Sequence, residues 1–509
     1  MRLSQLFGIL FLLMGLASPS VYAAIYHGKV LTISPKGKTV EIEYSSDKKV
    51  KTFRIPTSAK ILIKKKKGTF NQVSKGDTVV IFTSKFGKVT HLRTIDASRT
   101  VPRKRKPLPK PEEKQVVKNE WTGFRGADRS NKSTETGLMK TWKKDAPQLL
   151  WTSTGLGQGY STVAISHGMA YTMGNVRGAE QIHAINLKNG EIEWSVTNSN
   201  KIYKNGQGNG PRSTPTIDGD KLYALGGNGD LTCVDLDSHK IVWTRNILKD
   251  FEGSNITWGI SESVLIDGNK LICTPGGKLA TIVALNKKNG DVIWTSQIEG
   301  KPKASYASPI VIDVGNVRQY VTFVSSGVVG VRAKDGQPLW GNDSSSNKTA
   351  NCSTPVYDSG LLFSASGYGK GGALLQLFSR RKTTRAKFKY HTKKMKNHHG
   401  GMVVIDGYLY GSSDPGILTC LELKTGKVKW KNRSPGKGSL VYADGHLYYR
   451  DENGPITLVE ATPKEYREKG KFDQPSRSKR RAWAHPVIAD GKLFIRDMDK
   501  LLVFDVREK

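Results

Sequence analysis

The sequence predicts an all-β protein, because one phrase of short strands recurs along most of the chain and turn residues separate the strands. The clearest copy is 218–243, DGDKLYALGGNGDLTCVDLDSHKIVW. In this copy an Asp-Gly pair and an Asn-Gly pair mark turns between runs in which apolar and polar residues alternate. The last run ends on Trp243, and aromatic and β-branched residues of this kind suit half-buried strands.

The phrase opens eight times, at glycines that lie roughly 40–50 residues apart. The opening glycines are Gly168, Gly219, Gly268, Gly315, Gly360, Gly407, Gly445 and Gly491. A sustained period of this length, with several strands in each unit, is typical of β-propellers. The sequence therefore predicts an eight-bladed β-propeller over 119–509.

Most copies of the phrase end on a tryptophan. In two weaker copies we assign Phe388 and Phe472 to the same position. An aromatic side chain buries a large apolar area. We therefore interpret these residues as packing between neighbouring blades and not as a cofactor site.

The last unit, which opens at Gly491, ends before it reaches a closing strand. Ahead of the first unit, the segment PQLLW resembles a closing strand that has no unit of its own. We predict that Leu149–Trp151 completes the eighth blade and closes the ring, which would remove exposed sheet edges.

The first 23 residues predict a secretory signal peptide. One arginine precedes an apolar run over 6–16, and a small-residue site follows, so cleavage near Ala23 is expected. The run is too short to span a bilayer, and no transmembrane segment is predicted. The sequence thus predicts an exported protein, periplasmic or extracellular.

Residues 24–97 carry no copy of the phrase and predict a small basic β-barrel of the OB or SH3-like kind. Its six strands are expected around 26–33, 39–44, 50–55, 60–64, 78–82 and 89–95. Residues 98–118 are rich in proline and lysine and predict an extended linker.

The chain is strongly basic, with 80 Lys and Arg against 44 Asp and Glu and a net charge of +36. Nearly half of the excess lies in 24–118, where 64–67 and 103–106 are runs of basic residues. Such a region favours an acidic polymer or anionic lipid head groups as a partner, or it is a solvated surface. Nucleic acid is not expected for an exported protein.

The chain has four cysteines and no CxxC pattern. Cys233 and Cys420 occupy the same strand position in units far apart in the repeat, so they are predicted to be small buried side chains. No metal site is predicted.

The segment before each opening turn should lead into the innermost strand of its blade, at one end of the central channel. These segments share nearly one register, so their polar side chains should form a ring. The candidate ligand-binding residues are Tyr160, Arg212, Glu262, Tyr306, Asn351, His398, His399, Lys437, Trp483 and His485. Cationic and aromatic groups suit a small anionic or quinone-like ligand. Glu262 is the one carboxylate assigned to the ring and the candidate for a catalytic residue.

Four segments carry a resemblance to a known family: WTGFRGADRSNKS, WGISESVLIDG, YASPIVID and NHHGGMVVIDGYLYGSSD. Together with the repeated phrase they resemble the PQQ-like propeller repeat proteins, of the quinoprotein alcohol dehydrogenase-like superfamily, over roughly 120–509. The resemblance implies one of two functions. The quinoprotein dehydrogenases hold pyrroloquinoline quinone with a calcium ion, whereas the envelope-assembly propellers bind protein and have no cofactor.

The favoured function is a binding or scaffolding propeller of the periplasm or cell envelope, a monomer with a cationic channel mouth. Its partner would be an envelope protein or an acidic polymer. The alternative is a PQQ-dependent oxidoreductase, and a carbohydrate-binding protein is the third possibility.

Overall fold

The computed structural model describes residues 24–44, 50–63, 66–83, 88–95, 120–142, 147–380 and 383–509. The predicted signal peptide, its cleavage point near Ala23 and the linker predicted at 98–118 lie outside the described residues. The chain divides into two compact units, Met1–Glu113 and Lys114–Lys509. No helix in the described ranges is long and apolar enough to cross a membrane.

The first unit is a seven-stranded sheet. In chain order its strands are β1 (Ala24–Ser34), β2 (Thr39–Tyr44), β3 (Val50–Arg54), β4 (Lys60–Ile63), β5 (Lys66–Lys67), β6 (Thr78–Thr83) and β7 (Val89–Ile95). Six of them are the predicted strands, and Lys66–Lys67 is an additional one.

The strand order of this sheet is β3-β2-β1-β6-β7-β4-β5. Val40, Ile42, Val79 and Ile81 are fully buried in its apolar core, and a short 3-10 helix, Phe70–Gln72, follows β5. Closure of the sheet into a barrel, and an acidic polymer as its partner, stay predictions.

The second unit contains eight four-stranded antiparallel sheets over the described residues, and it confirms the all-β propeller fold. Sheet 1 consists of Ala164–Ser166, Met169–Val176, Ala179–Asn186 and Ile192–Ser199, and sheet 2 of Thr216–Asp218, Lys221–Leu225, Asp230–Asp235 and Ile241–Asn246. Sheet 3 consists of Leu265–Asp267, Lys270–Cys273, Ile282–Asn286 and Val292–Ser296, and sheet 4 of Ile310–Val314, Val317–Val324, Gly327–Arg332 and Pro338–Asn342. A single short helix in these ranges, Ile247–Asp250, follows sheet 2.

The remaining four sheets follow the same plan. Sheet 5 consists of Val356–Asp358, Leu361–Ser366, Gly371–Arg380 and Thr383–Thr392, and sheet 6 of Met402–Ile405, Tyr408–Ser413, Ile417–Glu422 and Val428–Asn432. Sheet 7 consists of Gly438–Ala443, His446–Asp451, Ile456–Glu460 and Glu468–Phe472, and sheet 8 of Val487–Ala489, Lys492–Asp497, Lys500–Asp505 and Leu149–Ser153. Sheet 8 confirms the predicted closure, because Leu149–Ser153 pairs antiparallel with Lys500–Asp505.

The first strand of each sheet lies towards the axis of the ring, since the first strands of most neighbouring sheets contact one another. The apolar core is formed between neighbouring sheets. Ala164 and Tyr171 of sheet 1, for example, pack with Leu222 and Val234 of sheet 2. Cys233 and Cys420 are buried in such cores, as predicted, and none of the four cysteines is in a disulfide.

The recurring tryptophans join one sheet to the next. The Trp243 Nε1 donates to the carbonyl oxygen of Lys287 at 3.0 Å, and its ring lies against Gly290 of the following sheet. The same contact to the next sheet is made by Trp151, Trp294 and Trp430. The structural interpretation of these side chains is therefore confirmed.

The assignment of two phenylalanines to the tryptophan position was wrong. Phe388 is 48% exposed, and Tyr390 takes the position instead, because its hydroxyl donates to the carbonyl oxygen of Leu423 at 2.6 Å. A β-bulge between the two residues shifts the register by one.

In sheet 7 the register places Gly470, and not Phe472, at the tryptophan position. Trp142, which precedes all the repeats, fills the space that Gly470 leaves. Its backbone N–H donates to Lys469 at 2.8 Å, and its ring centroid lies 5.3 Å from that of Phe472. One sheet thus obtains its tryptophan from a distant part of the sequence.

Residues 120–133, which we call the central segment, contact the inner strands of the ring. Trp121 exchanges backbone hydrogen bonds with Ile165 of sheet 1, and Thr122 accepts one from Ile217 of sheet 2. On the far side, the Asn131 side chain donates to the carbonyl oxygen of sheet 7 residue Leu440 at 2.7 Å.

Two buried arginines extend these contacts. Arg129 Nη1 donates to the carbonyl oxygens of Ser263 at 2.8 Å and Pro309 at 3.0 Å, which precede sheets 3 and 4. Arg125 Nη2 donates to Met402 of sheet 6 at 2.8 Å. A segment that contacts the inner strands of six of the eight sheets, or the residues just before them, must lie across the axis of the ring.

Candidate functional site

The ring of side chains predicted from the repeats surrounds a cavity of about 430 Å³. Eight of the ten predicted residues line it, because the segments before the first strands end on one side of the ring. They are Tyr160, Arg212, Tyr306, His398, His399, Lys437, Trp483 and His485. Phe124 of the central segment also lines the cavity.

Glu262 and Asn351 were predicted in the ring but do not line the cavity. Glu262 is 2% exposed, and its Oε1 accepts the backbone N–H of Thr274 at 2.5 Å. Asn351 is 1% exposed, and its Oδ1 accepts the backbone N–H of Asn347 at 2.9 Å. Both side chains support loops from inside, so neither is placed to touch a bound molecule.

Two acids that the sequence analysis missed belong to the site, so assigning it a single carboxylate was wrong. Asp414 Oδ1 lies 2.9 Å from Lys437 Nζ, and its Oδ2 lies 3.3 Å from His398 Nδ1. Burial alone would raise the pKa of Asp414, but the hydrogen bonds from His398 and Lys437 outweigh it and hold that pKa at about 2. Asp414 is therefore a carboxylate already engaged by a cation.

Glu452 is the second missed acid and lines the cavity. Its Oε1 lies 2.6 Å from Arg481 Nη1, its Oε2 accepts the indole N–H of Trp483 at 3.1 Å, and His399 Nε2 lies 3.5 Å from Oε2. Burial would raise the pKa of Glu452, but the interactions with His399, the hydrogen bond from Trp483 and the nearby charge of Lys437 hold it at about 2. This acid too is ionised and paired.

Arg212 is different, because no carboxylate within salt-bridge distance is found for it among the described residues. Its Nη1 and Nη2 each donate at 3.0 Å to backbone carbonyl oxygens, those of Gly210 and Gly208. Its guanidinium carbon lies 5.1 Å from the ring centroid of Tyr160 and 5.4 Å from that of Tyr203. Burial lowers the pKa of Arg212, yet an arginine stays charged in proteins.

Aromatic pairs form much of the rest of the wall. The ring centroids of Tyr160 and Trp483 lie 4.8 Å apart, and those of Trp258 and Tyr306 lie 5.6 Å apart. On the floor His485 lies against Phe124, and burial lowers the pKa of His485 to about 3, so that this histidine is neutral at physiological pH.

The donor set does not fit a calcium-bound quinone. Calcium takes six to eight oxygen ligands, with ionised carboxylates among them. The two carboxylates at this site, Asp414 and Glu452, are already paired with Lys437 and Arg481. Over the described ranges, no group of three or more His, Cys, Asp or Glu side chains could hold a metal ion.

Replacing Glu262 by glutamine is expected to stabilise the protein at high pH. Burial raises the pKa of Glu262 to about 7 from 4.5, although Thr274 and Arg129 act in the opposite direction. The folded state therefore binds this proton more tightly than the unfolded state, so the stability from this group falls as the pH rises from 4.5 to about 7. Glutamine does not titrate, so the melting temperature of Glu262→Gln should exceed that of the wild type by more at pH 8 than at pH 5.

The matched control is Glu299→Gln, which changes an exposed glutamate. Its melting temperature should follow that of the wild type at both pH values. Parallel pH profiles for Glu262→Gln and the wild type would contradict the prediction.

Comparison with known proteins places this chain in a family. A family model described as outer membrane protein assembly factor BamB matches residues 123–258 and 178–432. The chain is also 23% identical over 235 residues to the outer membrane protein assembly factor BamB of Yersinia pestis. That match covers 43% of this chain and 55% of the relative, so the chain spans about half the length of the curated relative it matches.

Solved structures share the fold. BamB from Moraxella catarrhalis is similar with a TM-score of 0.51 and 14% identity, over 71% of this chain and 100% of that one. The quinohemoprotein alcohol dehydrogenase of Comamonas testosteroni is similar with a TM-score of 0.56 and 12% identity, over 77% of this chain and 82% of that one. At such identities these structures show the fold alone.

The resemblance inferred from the sequence motifs is confirmed, since the matched ranges cover more than half of the chain and run through the first six sheets. This chain belongs to the PQQ-like β-propeller family described as outer membrane protein assembly factor BamB.

Proposed function

We propose that this protein is a scaffold of the cell envelope that takes part in the assembly of outer membrane proteins and binds a partner protein at the mouth of its propeller. Family membership supports the process, because both the family description and the similar protein of Yersinia pestis are named for it. The predicted signal peptide supports a location outside the cytoplasm.

The observation that carries the proposal is the charge pairing in the cavity. Asp414 and Glu452 are ionised and bound by cations, so neither is free to act as a general base. The wall offers aromatic rings and one arginine without a carboxylate partner, Arg212. Such a surface holds a ligand by stacking and charge.

The oxidoreductase alternative has the fold in its favour, because quinohemoprotein alcohol dehydrogenases share it. The paired carboxylates of the cavity do not supply the oxygen donors that a calcium-bound quinone needs. No step through a quinone is therefore derived for this chain. A carbohydrate ligand would use the same aromatic walls and stays an alternative that the sequence predicted.

Deleting the gene in the bacterium that encodes this chain is expected to lower the amount of folded outer membrane β-barrel protein several-fold. Folded barrels are measured by their heat-modifiable migration on gels. Wild-type protein should restore them, and Arg212→Glu, which reverses the free charge of the cavity, should restore them only partly. The matched control is Arg177→Glu, at an exposed arginine outside the cavity, which should restore them fully.

Unchanged barrel levels after deletion would contradict the proposal. Loss of dye-linked alcohol oxidation in the same strain, restored by the wild-type protein, would favour the oxidoreductase in its place.

A further inference from the structure

We infer that the cavity is a receptor for a single carboxylate of a polypeptide, bound by Arg212, with an aromatic or apolar group beside it on the ring walls. The inference rests on the proposed function and names the ligand class of the same site. The carboxylate is either a chain end or an acidic side chain, since both present the same two oxygens.

The first argument is the free donor capacity of Arg212. A guanidinium carries five N–H donors, and two of them are used on the carbonyl oxygens of Gly208 and Gly210. Those two bonds fix the plane of the group, and its remaining donors lack a carboxylate partner among the described residues. Arginine binds a carboxylate through two parallel N–H donors, which a group held in one plane can present without further loss of entropy.

The loop that holds Arg212 is built closely around it. Gly208 and Gly210 have positive φ angles of 136° and 93°, a region that glycine adopts without strain. A Cβ atom at Gly208 would overlap the hydroxyl of Tyr160, whose O–H donates to the carbonyl oxygen of Gln207 at 3.1 Å. The arginine is therefore a positioned group and not a flexible surface side chain.

The second argument is the charge balance of the cavity. Lys437 and Arg481 are neutralised by Asp414 and Glu452, which leaves the charge of Arg212 uncompensated. One entering carboxylate would balance the site. A ligand with two or more negative charges would overcompensate the single free cation.

The third argument is the wall beside Arg212. Tyr160 lies under the guanidinium and also contacts Trp483, so an aromatic surface begins where the cationic group ends. The Trp258 and Tyr306 pair continues this surface. A cavity of about 430 Å³ lies in the range for small ligands, so it admits a few side chains and not a folded domain.

The test is a titration of the full chain with N-acetyl-phenylalanine and with its amide, followed by the fluorescence of the cavity tryptophans. The wild-type protein is expected to bind the acid at least about tenfold more tightly than the amide, as a charge-assisted hydrogen bond to Arg212 requires. Arg212→Ala should bind the two probes alike. The control Arg177→Ala should keep the wild-type preference.

A third probe, acetyl-Phe-Asp-amide, carries its carboxylate on a side chain. A preference for this probe over its Asn counterpart, or for the acid over the amide, supports the receptor and shows which source of carboxylate fits. The inference is overturned if the wild-type protein makes neither distinction, if it binds no probe at millimolar concentration, or if Arg212→Ala keeps the preference. Melting curves confirm that the variant is folded.

The two proposals fail separately. A defect in barrel assembly on deletion, together with no carboxylate preference, would leave the proposed function and remove the receptor. A carboxylate preference that depends on Arg212, together with normal barrel assembly on deletion, would leave the receptor and remove the proposed function.

Discussion

A chain that begins at residue 154 is expected to aggregate, whereas chains that begin at 119 or at 147 are expected to be soluble monomers. The strand Leu149–Ser153 closes sheet 8 by pairing with Lys500–Asp505, and Trp151 donates from it to Leu187 of sheet 1. Its removal would expose the hydrogen-bonding groups of a long strand edge and open an apolar core at the same place. Size-exclusion chromatography with light scattering would show the difference.

The chain that begins at 147 separates closure from the other N-terminal contacts. It lacks the central segment and Trp142 but keeps the closing strand, so it should be less stable than the chain from 119 without aggregating. Equal solubility of the chains from 147 and 154 would contradict the assignment of ring closure to this strand.

The second large effect is expected at Arg129, and Arg129→Met should lower the free energy of unfolding by at least about 3 kcal/mol. Hydrogen bonds to a charged group contribute about 1.5–3 kcal/mol each, and the guanidinium donates to Ser263, Val264 and Pro309. Methionine fills a similar length but donates to none of these buried carbonyl oxygens, and only that of Val264 keeps another donor among the described residues, the hydroxyl of Thr216. Urea unfolding of the chain from 119 measures the loss.

Lys132→Met is the matched control, because it changes an exposed cation on the same segment. A surface change of this kind should stay within about 0.5 kcal/mol of the wild type. A loss below about 1 kcal/mol for Arg129→Met would show that the segment is not held to the ring through this side chain.

The strands were predictable because turn dipeptides and runs of alternating apolar and polar residues recur with one period. Each copy of the phrase therefore supports the assignment of strands in the others. The prediction of the tryptophan position was wrong in two weaker copies of the phrase, which do not end on a tryptophan. In a regular strand Phe388 and Tyr390 would point to the same face. A β-bulge determines which of them takes the tryptophan position, and no residue type in the sequence predicts that bulge. Trp142 replaces Gly470 from more than three hundred residues away, so only the folded ring reveals the exchange.

The repeat also made most of the candidate site predictable, but the prediction left out two acids. Segments before the first strands share a register, so eight side chains were assigned to one cavity correctly. Asp414 and Glu452 follow second strands, which run back towards the same end of the ring, and that rule would have found them. Their pairing with Lys437 and Arg481 depends on side chains from neighbouring sheets, and strand order alone does not fix it.

The central segment has one more consequence, for the route that a bound molecule takes. Because 120–133 lies across the axis and Phe124 forms part of the cavity floor, the described part of the ring gives a blind pocket and not a pore. A molecule that enters must leave by the same opening. For the polypeptide ligand that we propose, this geometry excludes threading through the ring and leaves entry by a chain end or a tight loop.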